Sequence, residues 1–282
     1  MTPDSSVVRF EEVSLHFGAT PALDGVSFEM GAGETRILFG AAGSGKTTLL
    51  KVAMGLIQPD SGRVFLFGQD ITRLSERQMF DLRARVGILF QEGGLFDSLT
   101  VEENVAYPLL HQRALQEPLA HTNGATRTVA DRVQESLNFV ELGQTLEKYP
   151  SELSGGMRRR VGIARALVSA PALLLYDSPT AGLDPITANH IVALILKERE
   201  ERNTATIVVT HRYLDGHLIA NFRYNPSSGT VDRASRAPGK AGRVTTKFFV
   251  MREGRLVFQG SEAELQAATD PYVRKFQRHG SA

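Results

Sequence analysis

The chain of 282 residues, 42% of them hydrophobic, is long enough to bury a sizeable core in one large domain or two smaller ones. The absence of cysteine excludes disulfides, thiol catalysis and cysteine-ligated zinc, and a formal net charge of +1 gives no overall attraction for nucleic acid. No apolar run reaches the roughly 18 residues that a membrane-spanning helix needs, and the polar N-terminus predicts no secretion signal, so the composition suits a cytosolic enzyme.

The N-terminal part of the chain predicts β-structure. Residues 7–28 alternate between apolar and polar types, and turn residues at Gly18 and at Asp24 and Gly25 predict antiparallel strands. Residues 35–39 are apolar enough for a short buried strand.

A glycine-rich loop follows that strand. Residues 40–47, GAAGSGKT, fit the phosphate-binding pattern G-x-x-x-x-G-K-[ST]. In this pattern the glycines let successive backbone N–H groups face one anion, Lys46 reaches the β- and γ-phosphates, and the Thr47 hydroxyl can bind Mg²⁺. Residues 48–54 predict a helix whose positive N-terminus meets the phosphates.

The rest of the chain alternates strands with helices. Residues 62–68 and 85–90 predict strands, and residues 100–168 are mostly helical, with a loop or insertion near 121–126. Residues 221–243 predict a loop or a hairpin.

Two further apolar strands frame a helix. Residues 172–177 and 205–210 predict buried strands, and between them Asp184 is the expected N-cap of a helix with Pro185 in its first turn. Strand, helix and strand in this order predict a mostly parallel α/β sheet.

Four further groups stand where phosphate chemistry needs them. A carboxylate at a strand end can hold Mg²⁺, a helix that begins with serine and glycine can bind an anion, and open α/β sheets bind ligands beyond the carboxyl ends of their strands. The groups are Gln91, the helix start Ser154, Gly155 and Gly156, the strand-end Asp177, and His211.

With the loop at 40–47, these groups make the chain resemble the ATP-binding subunits of ABC transporters over about residues 7–266. Residues 40–47 match the Walker A loop, Gln91 the Q-loop, 153–157 the signature motif, 173–177 the Walker B strand, 181–184 the D-loop and His211 the switch histidine.

The resemblance implies an α/β P-loop NTPase fold of the ABC ATPase type. Such a fold has a RecA-like core, an N-terminal antiparallel β-subdomain and an inserted α-helical subdomain. The expected bounds are 7–91 and 166–220 for the nucleotide-binding core with the β-subdomain, 92–165 for the helical subdomain, 221–243 for an insertion, and 244–282 for C-terminal strands and a helix.

The resemblance also implies ATP and Mg²⁺ as ligands. Phe17 lies where the family places an aromatic ring against adenine, although an ordinary core role fits it equally well. The residues implied in ATP binding are Gly40, Gly43, Ser44, Gly45, Lys46, Thr47 and Thr48, with Ser154, Gly155 and Gly156 contributed to the partner's nucleotide, and those implied in Mg²⁺ binding are Thr47, Gln91 and Asp177.

A head-to-tail dimer of ATP-binding subunits is implied, as a homodimer or an ABC heterodimer, together with integral-membrane permease subunits. No nucleic-acid partner is expected. Arg158, Arg159 and Arg160 follow the signature motif on a helix, and surface charge or dimer contacts explain them better than nucleic acid does.

Two features are similar to the Mla/MCE-type ATPases, which power phospholipid movement between bacterial membranes. They are the segment 90–109 and Met157, which stands where most family members have Gln. This similarity implies an MCE-type substrate-binding partner and a peripheral location on the cytoplasmic face of the inner membrane. Leu95, Phe96 and Leu99 become candidate contacts for a permease helix, with packing inside the helical subdomain as the alternative.

One residue departs from the family. Ser178 stands where the family has the Glu that acts as general base, and a serine hydroxyl cannot usefully accept that proton near neutral pH. The remaining catalytic candidates are Lys46, Gln91, Asp177 and His211. The chain is therefore expected to be an ATPase that positions water otherwise, through His211, or the slow half of a heterodimer, or a nucleotide-gated regulatory subunit with little hydrolysis.

A soluble ABC protein of DNA repair or translation is the third class of function. Such proteins usually carry coiled-coil insertions or tandem cassettes, and this chain has neither.

Overall fold

The computed structural model describes residues 6–91, 93–111, 128–225, 227–228, 230–234 and 245–277. They belong to two compact units, a larger one within Met1–Leu74 and Thr180–Ala282 and a smaller one, Ser75–Pro179. The smaller unit contains residues 92–165, the predicted helical subdomain, and also the predicted strands 85–90 and 172–177.

The described elements follow the predicted alternation of strands and helices. The strands are β1 Ser6–Phe17, β2 Thr20–Gly31, β3 Thr35–Gly40, β4 Ser61–Leu66, β5 Gln69–Asp70, β6 Val86–Leu89, β7 Leu173–Asp177, β8 Ala205–Val209, β9 Phe222–Asn225, β10 Thr230–Arg233, β11 Thr246–Arg252 and β12 Arg255–Gly260. The helices are α1 Lys46–Ala53, α2 Glu76–Arg83, α3 Val101–His111, α4 Val129–Phe139, α5 Gly155–Leu167, α6 Pro185–Arg202, α7 Tyr213–Asn221 and α8 Glu262–Ala267.

The larger unit holds two sheets that carry the site. An antiparallel sheet has the order β2-β1-β4-β5, and a core sheet joins β12, β11, β3 and β8 in that order. Strands β11, β3 and β8 are parallel to one another, whereas β12 is antiparallel to β11. Every residue of β3 and β8 is buried, as expected for strands covered on both faces.

The turn predicted at Asp24 and Gly25 is wrong, because both residues lie inside β2. Gly25 has φ of 61°, and the pairing of β1 with β2 is irregular between the pairs Leu15–Leu23 and Val13–Val26. The glycine therefore produces a β-bulge in a continuous strand. The turn predicted at Gly18 is confirmed between β1 and β2.

The start of α6 follows the sequence prediction. Asp184 Oδ1 accepts hydrogen bonds of 3.0 Å from the backbone N–H groups of Ile186 and Thr187. Hydrogen bonds from Thr187 and Ile186 hold the pKa of the Asp184 carboxyl below its usual range. The helix ends at Asn203, whose φ of 50° is left-handed.

The hairpin alternative for residues 221–243 is confirmed in its described part, where β9 pairs with β10 in antiparallel fashion. Arg223 on β9 contacts Glu200 of α6, with Nη1 2.7 Å from Oε2. Residues 226, 229 and 235–243 of that segment lie outside the described residues, as does the loop or insertion predicted at 121–126.

The smaller unit contains the parallel pair β6 and β7, in which Leu89 lies opposite Tyr176. Helix α5 packs on α3, α4 and β6. Val161, Ile163 and Ala164 give α5 a fully buried face.

None of the described helices is both long and apolar enough to cross a membrane.

Candidate functional site

The loop at residues 41–45 joins β3 to α1 with a backbone that only glycine allows at Gly45. This residue has φ of 102°, and a Cβ atom there would lie 2.3 Å from the carbonyl oxygen of Ala22. The Gly45 carbonyl accepts the N–H of Leu49 at 2.8 Å, so the helix begins directly at the loop. The predicted order of strand, loop and helix is confirmed.

Lys46 lies over the loop that precedes it. Its Nζ donates to the carbonyl oxygens of Gly40 and Ala41, at 2.9 and 2.7 Å, and to Ser44 Oγ at 3.2 Å. One ammonium group is thereby held at the head of α1, where the helix dipole also favours an anion. Both features concentrate positive potential at the same end of the helix.

The other predicted nucleotide-binding residues of the larger unit differ in exposure, since Gly40 and Ser44 are buried and Gly45 is partly exposed. Thr47 is exposed in the first turn of α1, and Gly43 is exposed at the tip of the loop, while Thr48 is half-buried. Phe17, at the end of β1, exposes 55% of its surface. The core role considered for Phe17 is therefore wrong.

His211 follows β8 on the edge of the sheet from which the loop also emerges. Strands β3 and β8 are parallel, with Leu38 opposite Val209, so their carboxyl ends point the same way. The Thr210 N–H donates to the Leu38 carbonyl at 3.2 Å. His211 itself is exposed. Within the larger unit the structure thus places the loop and His211 at one sheet edge.

A buried carboxylate that the sequence analysis missed fixes the residue before His211. Asp215 exposes 1% of its surface, and its Oδ2 accepts the hydroxyls of Thr180 at 2.5 Å and Thr210 at 2.8 Å. An acid four residues after His211, on a helix that starts at Tyr213, is the signal that could have found it. Asp215 therefore links Thr180, in the segment after Ser178, to Thr210 at the end of β8, because it accepts a hydrogen bond from each hydroxyl.

In the smaller unit, Asp177 and Ser178 stand at the end of β7. Asp177 exposes 4% of its surface, and Ser178 Oγ donates to Asp177 Oδ1 at 3.3 Å. Ser178 has φ of 51°, an uncommon conformation for a residue with a Cβ. The backbone turns sharply there, as is frequent at functional positions.

Gln91 follows β6, whose carboxyl end lies beside that of β7. It is exposed. The chain around it is held by arginines of α5, since Arg159 Nη1 donates to the Phe90 carbonyl at 3.2 Å and Arg165 donates to the carbonyls of Gly93 and Gly94. Gln91 and Asp177 therefore lie at one strand edge of the smaller unit.

These contacts correct the interpretation of the arginines after the signature motif. Arg159 exposes only 7% of its surface and fixes the backbone at Phe90. Arg160 donates to the Val140 carbonyl at 3.0 Å and Arg158 to the Leu153 carbonyl at 2.7 Å. All three arginines bind backbone carbonyls, but only Arg158 is exposed, so surface charge does not describe Arg159, which is buried.

The helix start predicted at Ser154 is present at α5. Ser154 is the N-cap, and its Oγ accepts the Met157 N–H at 3.2 Å. Ser154 and Gly155 are exposed, and Gly156 is half-exposed. The first turn of a 13-residue helix is thus accessible to a ligand or a partner.

Leu95, Phe96 and Leu99 are not core residues. Phe96 exposes 42% of its surface, and Leu95 and Leu99 are partly exposed. The Phe96 ring packs against Tyr107 with centroids 4.6 Å apart and the ring planes tilted by 41°, and Oδ1 of the buried Asn104 accepts the Phe96 N–H at 2.8 Å. The alternative that these three side chains pack inside the helical subdomain is therefore wrong for Phe96.

Thr47 in the larger unit, and Gln91 and Asp177 in the smaller unit, each carry a side-chain oxygen of the kind that binds Mg²⁺. No cluster of three or more His, Cys, Asp or Glu residues suited to a metal occurs in the part of the chain that the structure describes. Mg²⁺ in phosphate chemistry usually takes one or two protein carboxylates and completes its shell with water and phosphate oxygens. The side-chain oxygens of these residues are of the type that such chemistry uses.

Comparison with known proteins identifies the family. The model of the family described as "ABC transporter" matches residues 23–181. The methionine import ATP-binding protein MetN of Mesorhizobium japonicum is 42% identical over 212 residues, which cover 74% of this chain and 55% of that protein. The chain thus spans about half the length of the methionine-import relatives that it matches.

A second relative aligns with nearly the whole chain. The probable ribonucleotide transport ATP-binding protein mkl of Mycobacterium leprae is 31% identical over 274 residues, covering 97% of this chain and 69% of that protein.

Solved structures share the fold. The dimeric ATP-binding cassette MJ0796, in a post-hydrolysis state bound to ADP and Pi, has a TM-score of 0.71 and 26% identity, covering 90% of this chain and 98% of its own. CbiO1 of Clostridium perfringens, part of the ABC transporter complex cbiONQ, has a TM-score of 0.73 and 26% identity, covering 95% and 93%. This chain belongs to the ABC transporter family and has the fold of its ATP-binding cassettes.

Proposed function

We propose that this chain is the subunit of a bacterial ABC transporter that binds and hydrolyses ATP. The observation that carries the proposal is Lys46, whose ammonium group is held by three loop oxygens at the head of α1. Family membership and the likeness to a cassette solved with ADP and Pi support it.

Phosphate binding falls to residues 40–48. The N–H groups of Gly43 and Gly45 and of the N-terminus of α1 are proposed to face the anion, and Lys46 exchanges loop oxygens for phosphate oxygens. Phe17 offers an exposed ring for adenine. Thr47, Gln91 and Asp177 are the proposed oxygen donors to Mg²⁺, which neutralises charge on the phosphates when bound.

Hydrolysis is proposed to proceed without a carboxylate base at position 178. His211, exposed at the end of β8, is the proposed water-positioning residue, and Lys46 stabilises the charge that develops on the phosphate. The second candidate function is a nucleotide-gated subunit with little hydrolysis of its own, which Ser178 favours.

The proposed assembly is a dimer of ATP-binding subunits docked on a membrane permease at the cytoplasmic face of the inner membrane. Ser154, Gly155 and Gly156 are proposed to contact the partner's nucleotide, and the accessible N-terminus of α5 supports this. Phe96, exposed beside Tyr107, is the proposed permease contact. A homodimer and a heterodimer both fit.

The proposed cargo is phospholipid, handled with an MCE-type partner. Support comes from the segment 90–109 and from Met157, which are similar to the Mla/MCE-type ATPases. The relatives' names favour a second candidate, the import of methionine or another small solute.

The experiment is affinity purification of the complex through this chain, followed by mass spectrometry of bound small molecules and lipids. Phospholipid retained in stoichiometric amount with a polytopic permease and an MCE-type protein supports the lipid assignment. A permease that retains no lipid but restores methionine uptake in a transport-deficient strain overturns it. Purification without any polytopic membrane protein overturns the transporter assignment itself.

A further inference from the structure

The C-terminal segment of the larger unit contacts the loop that precedes Lys46. The Tyr272 hydroxyl accepts the backbone N–H of Ala41 at 3.0 Å and donates to the Met251 carbonyl at 3.0 Å. Ala41 is the second residue of the loop, and Tyr272 is 231 residues away along the chain. Neither the loop motif nor its spacing predicts this contact.

The hydroxyl lies where two parallel strands stop pairing. Strands β3 and β11 are in register up to Gly40 and Met251. The Ala41 N–H and the Met251 carbonyl lie at the end of this strand pairing, where they bind the Tyr272 hydroxyl instead of each other's strand. The tyrosine oxygen bridges them, so it satisfies both groups and fixes the peptide at which strand becomes loop.

The tyrosine is itself held from several sides. Asp270 Oδ1 accepts the N–H groups of Tyr272 and Val273, at 2.8 and 3.0 Å. The ring of Phe276 packs edge-on against Tyr272 with centroids 5.4 Å apart, and it also stacks on Phe39 of β3 at 5.7 Å. Two cations also lie near the tyrosine ring, since the Arg252 guanidinium carbon and Lys275 Nζ are each 5.6 Å from its centroid.

We propose that Tyr272 is a positioning residue for nucleotide binding, which holds the phosphate loop in its binding conformation through the Ala41 N–H. Phosphate affinity depends on the fraction of molecules whose loop N–H groups already point at the anion. Removing the bridge leaves Ala41 without its fixed partner and lets the loop sample other conformations. The inference rests on the proposed binding of ATP by residues 40–48.

The test is calorimetric titration of Mg-ADP into the full-length chain, comparing wild type with Tyr272→Phe. Loss of one neutral hydrogen bond should raise the Kd for Mg-ADP about fivefold. The melting temperature of each variant is measured in parallel. Tyr224→Phe is the matched control, because it removes the same atom from β9 and should leave Kd unchanged. In the assembled complex Tyr272→Phe should raise KM for ATP and leave kcat unchanged.

A second variant keeps the test valid if Tyr272→Phe folds poorly. Asp270→Ala removes the acceptor that anchors Tyr272 while the hydroxyl stays, and it should raise Kd in the same direction by a smaller factor. An unchanged Kd in both variants overturns the inference, even if the melting temperature falls. Failure of the wild type to bind Mg-ADP overturns the proposed function instead, so the two failures are distinguishable.

Discussion

The phosphate loop at residues 40–47 and the strand end at Asp177 and Ser178 differ in what they retain. The loop keeps each residue type that its motif requires, and the structure adds three contacts to Lys46. The strand end keeps the acid suited to Mg²⁺ but has a hydroxyl where the family has a general base. Because binding needs dipoles and an ammonium group while cleavage also gains from a base, affinity and turnover are expected to separate in this chain.

Replacing the missing base tests this difference with the largest expected effect. Ser178→Glu should raise the steady-state ATPase rate of the assembled complex by about 100-fold, the lower end of what general-base catalysis contributes. Both Ser and Glu carry a Cβ atom, so the left-handed φ of 51° at position 178 strains the backbone equally in the wild type and in the variant.

The matched control is Ser178→Gln, which has the size of Glu without its basicity and should give no gain. If Ser178→Glu is no faster than Ser178→Gln, the missing carboxylate does not limit the rate. Water positioning by another group, with His211 as the proposed one, would then carry the full reaction.

Removing the carboxylate of Asp215 tests whether its hydrogen bonds to Thr180 and Thr210 stabilise the fold. Asp215→Ala leaves the buried hydroxyls of Thr180 and Thr210 without their acceptor. Urea denaturation should show a free energy of unfolding lower by about 3 kcal/mol. Asp81→Ala, on the exposed side of α2, should change it by less than about 0.5 kcal/mol. Equal effects of the two substitutions would contradict the buried network.

The pH dependence of stability gives the smallest expected effect, and it concerns Glu262 of α8, whose hydrogen-bond partners lie on the same helix as Asp215. Burial alone would raise the pKa of Glu262, but hydrogen bonds from Tyr213, Asn221 and His217 outweigh it and hold the pKa below its ordinary value of 4.5. The lowered pKa contributes stability above pH 4.5, which is lost as the pH falls through the folded-state value.

Glu262→Gln should therefore flatten the acid limb of the unfolding curve below pH 4.5, measured by thermal melts across a pH series. An acid limb as steep as that of the wild type would show that Glu262 does not supply this stability.

Residues whose role is set by their neighbours in sequence could be predicted from the chain. The loop at 40–47, the cap at Asp184 and the strand end at Asp177 each depend on a few adjacent positions, and the structure confirms their local form. Gly25 could not be assigned, because a glycine with positive φ serves a turn and a bulge equally well.

Contacts between residues far apart in the sequence could not be predicted from the chain. Arg159 reaches Phe90 across 69 residues, and Tyr272 reaches Ala41 across 231. Hydrophobic periodicity and motif spacing contain no information on such pairs, because they are created by the packing of one element on another.

The central claim is that this chain uses Lys46 to bind and cleave ATP. The most direct test is the steady-state ATPase rate of the assembled complex, wild type beside Lys46→Ala, with Lys51→Ala on the same helix as the control. We predict a rate at least about tenfold higher for the wild type and for Lys51→Ala than for Lys46→Ala, since charge stabilisation at the phosphate is lost only in the last. Equal rates for wild type and Lys46→Ala would contradict the claim that the chain is an ATPase.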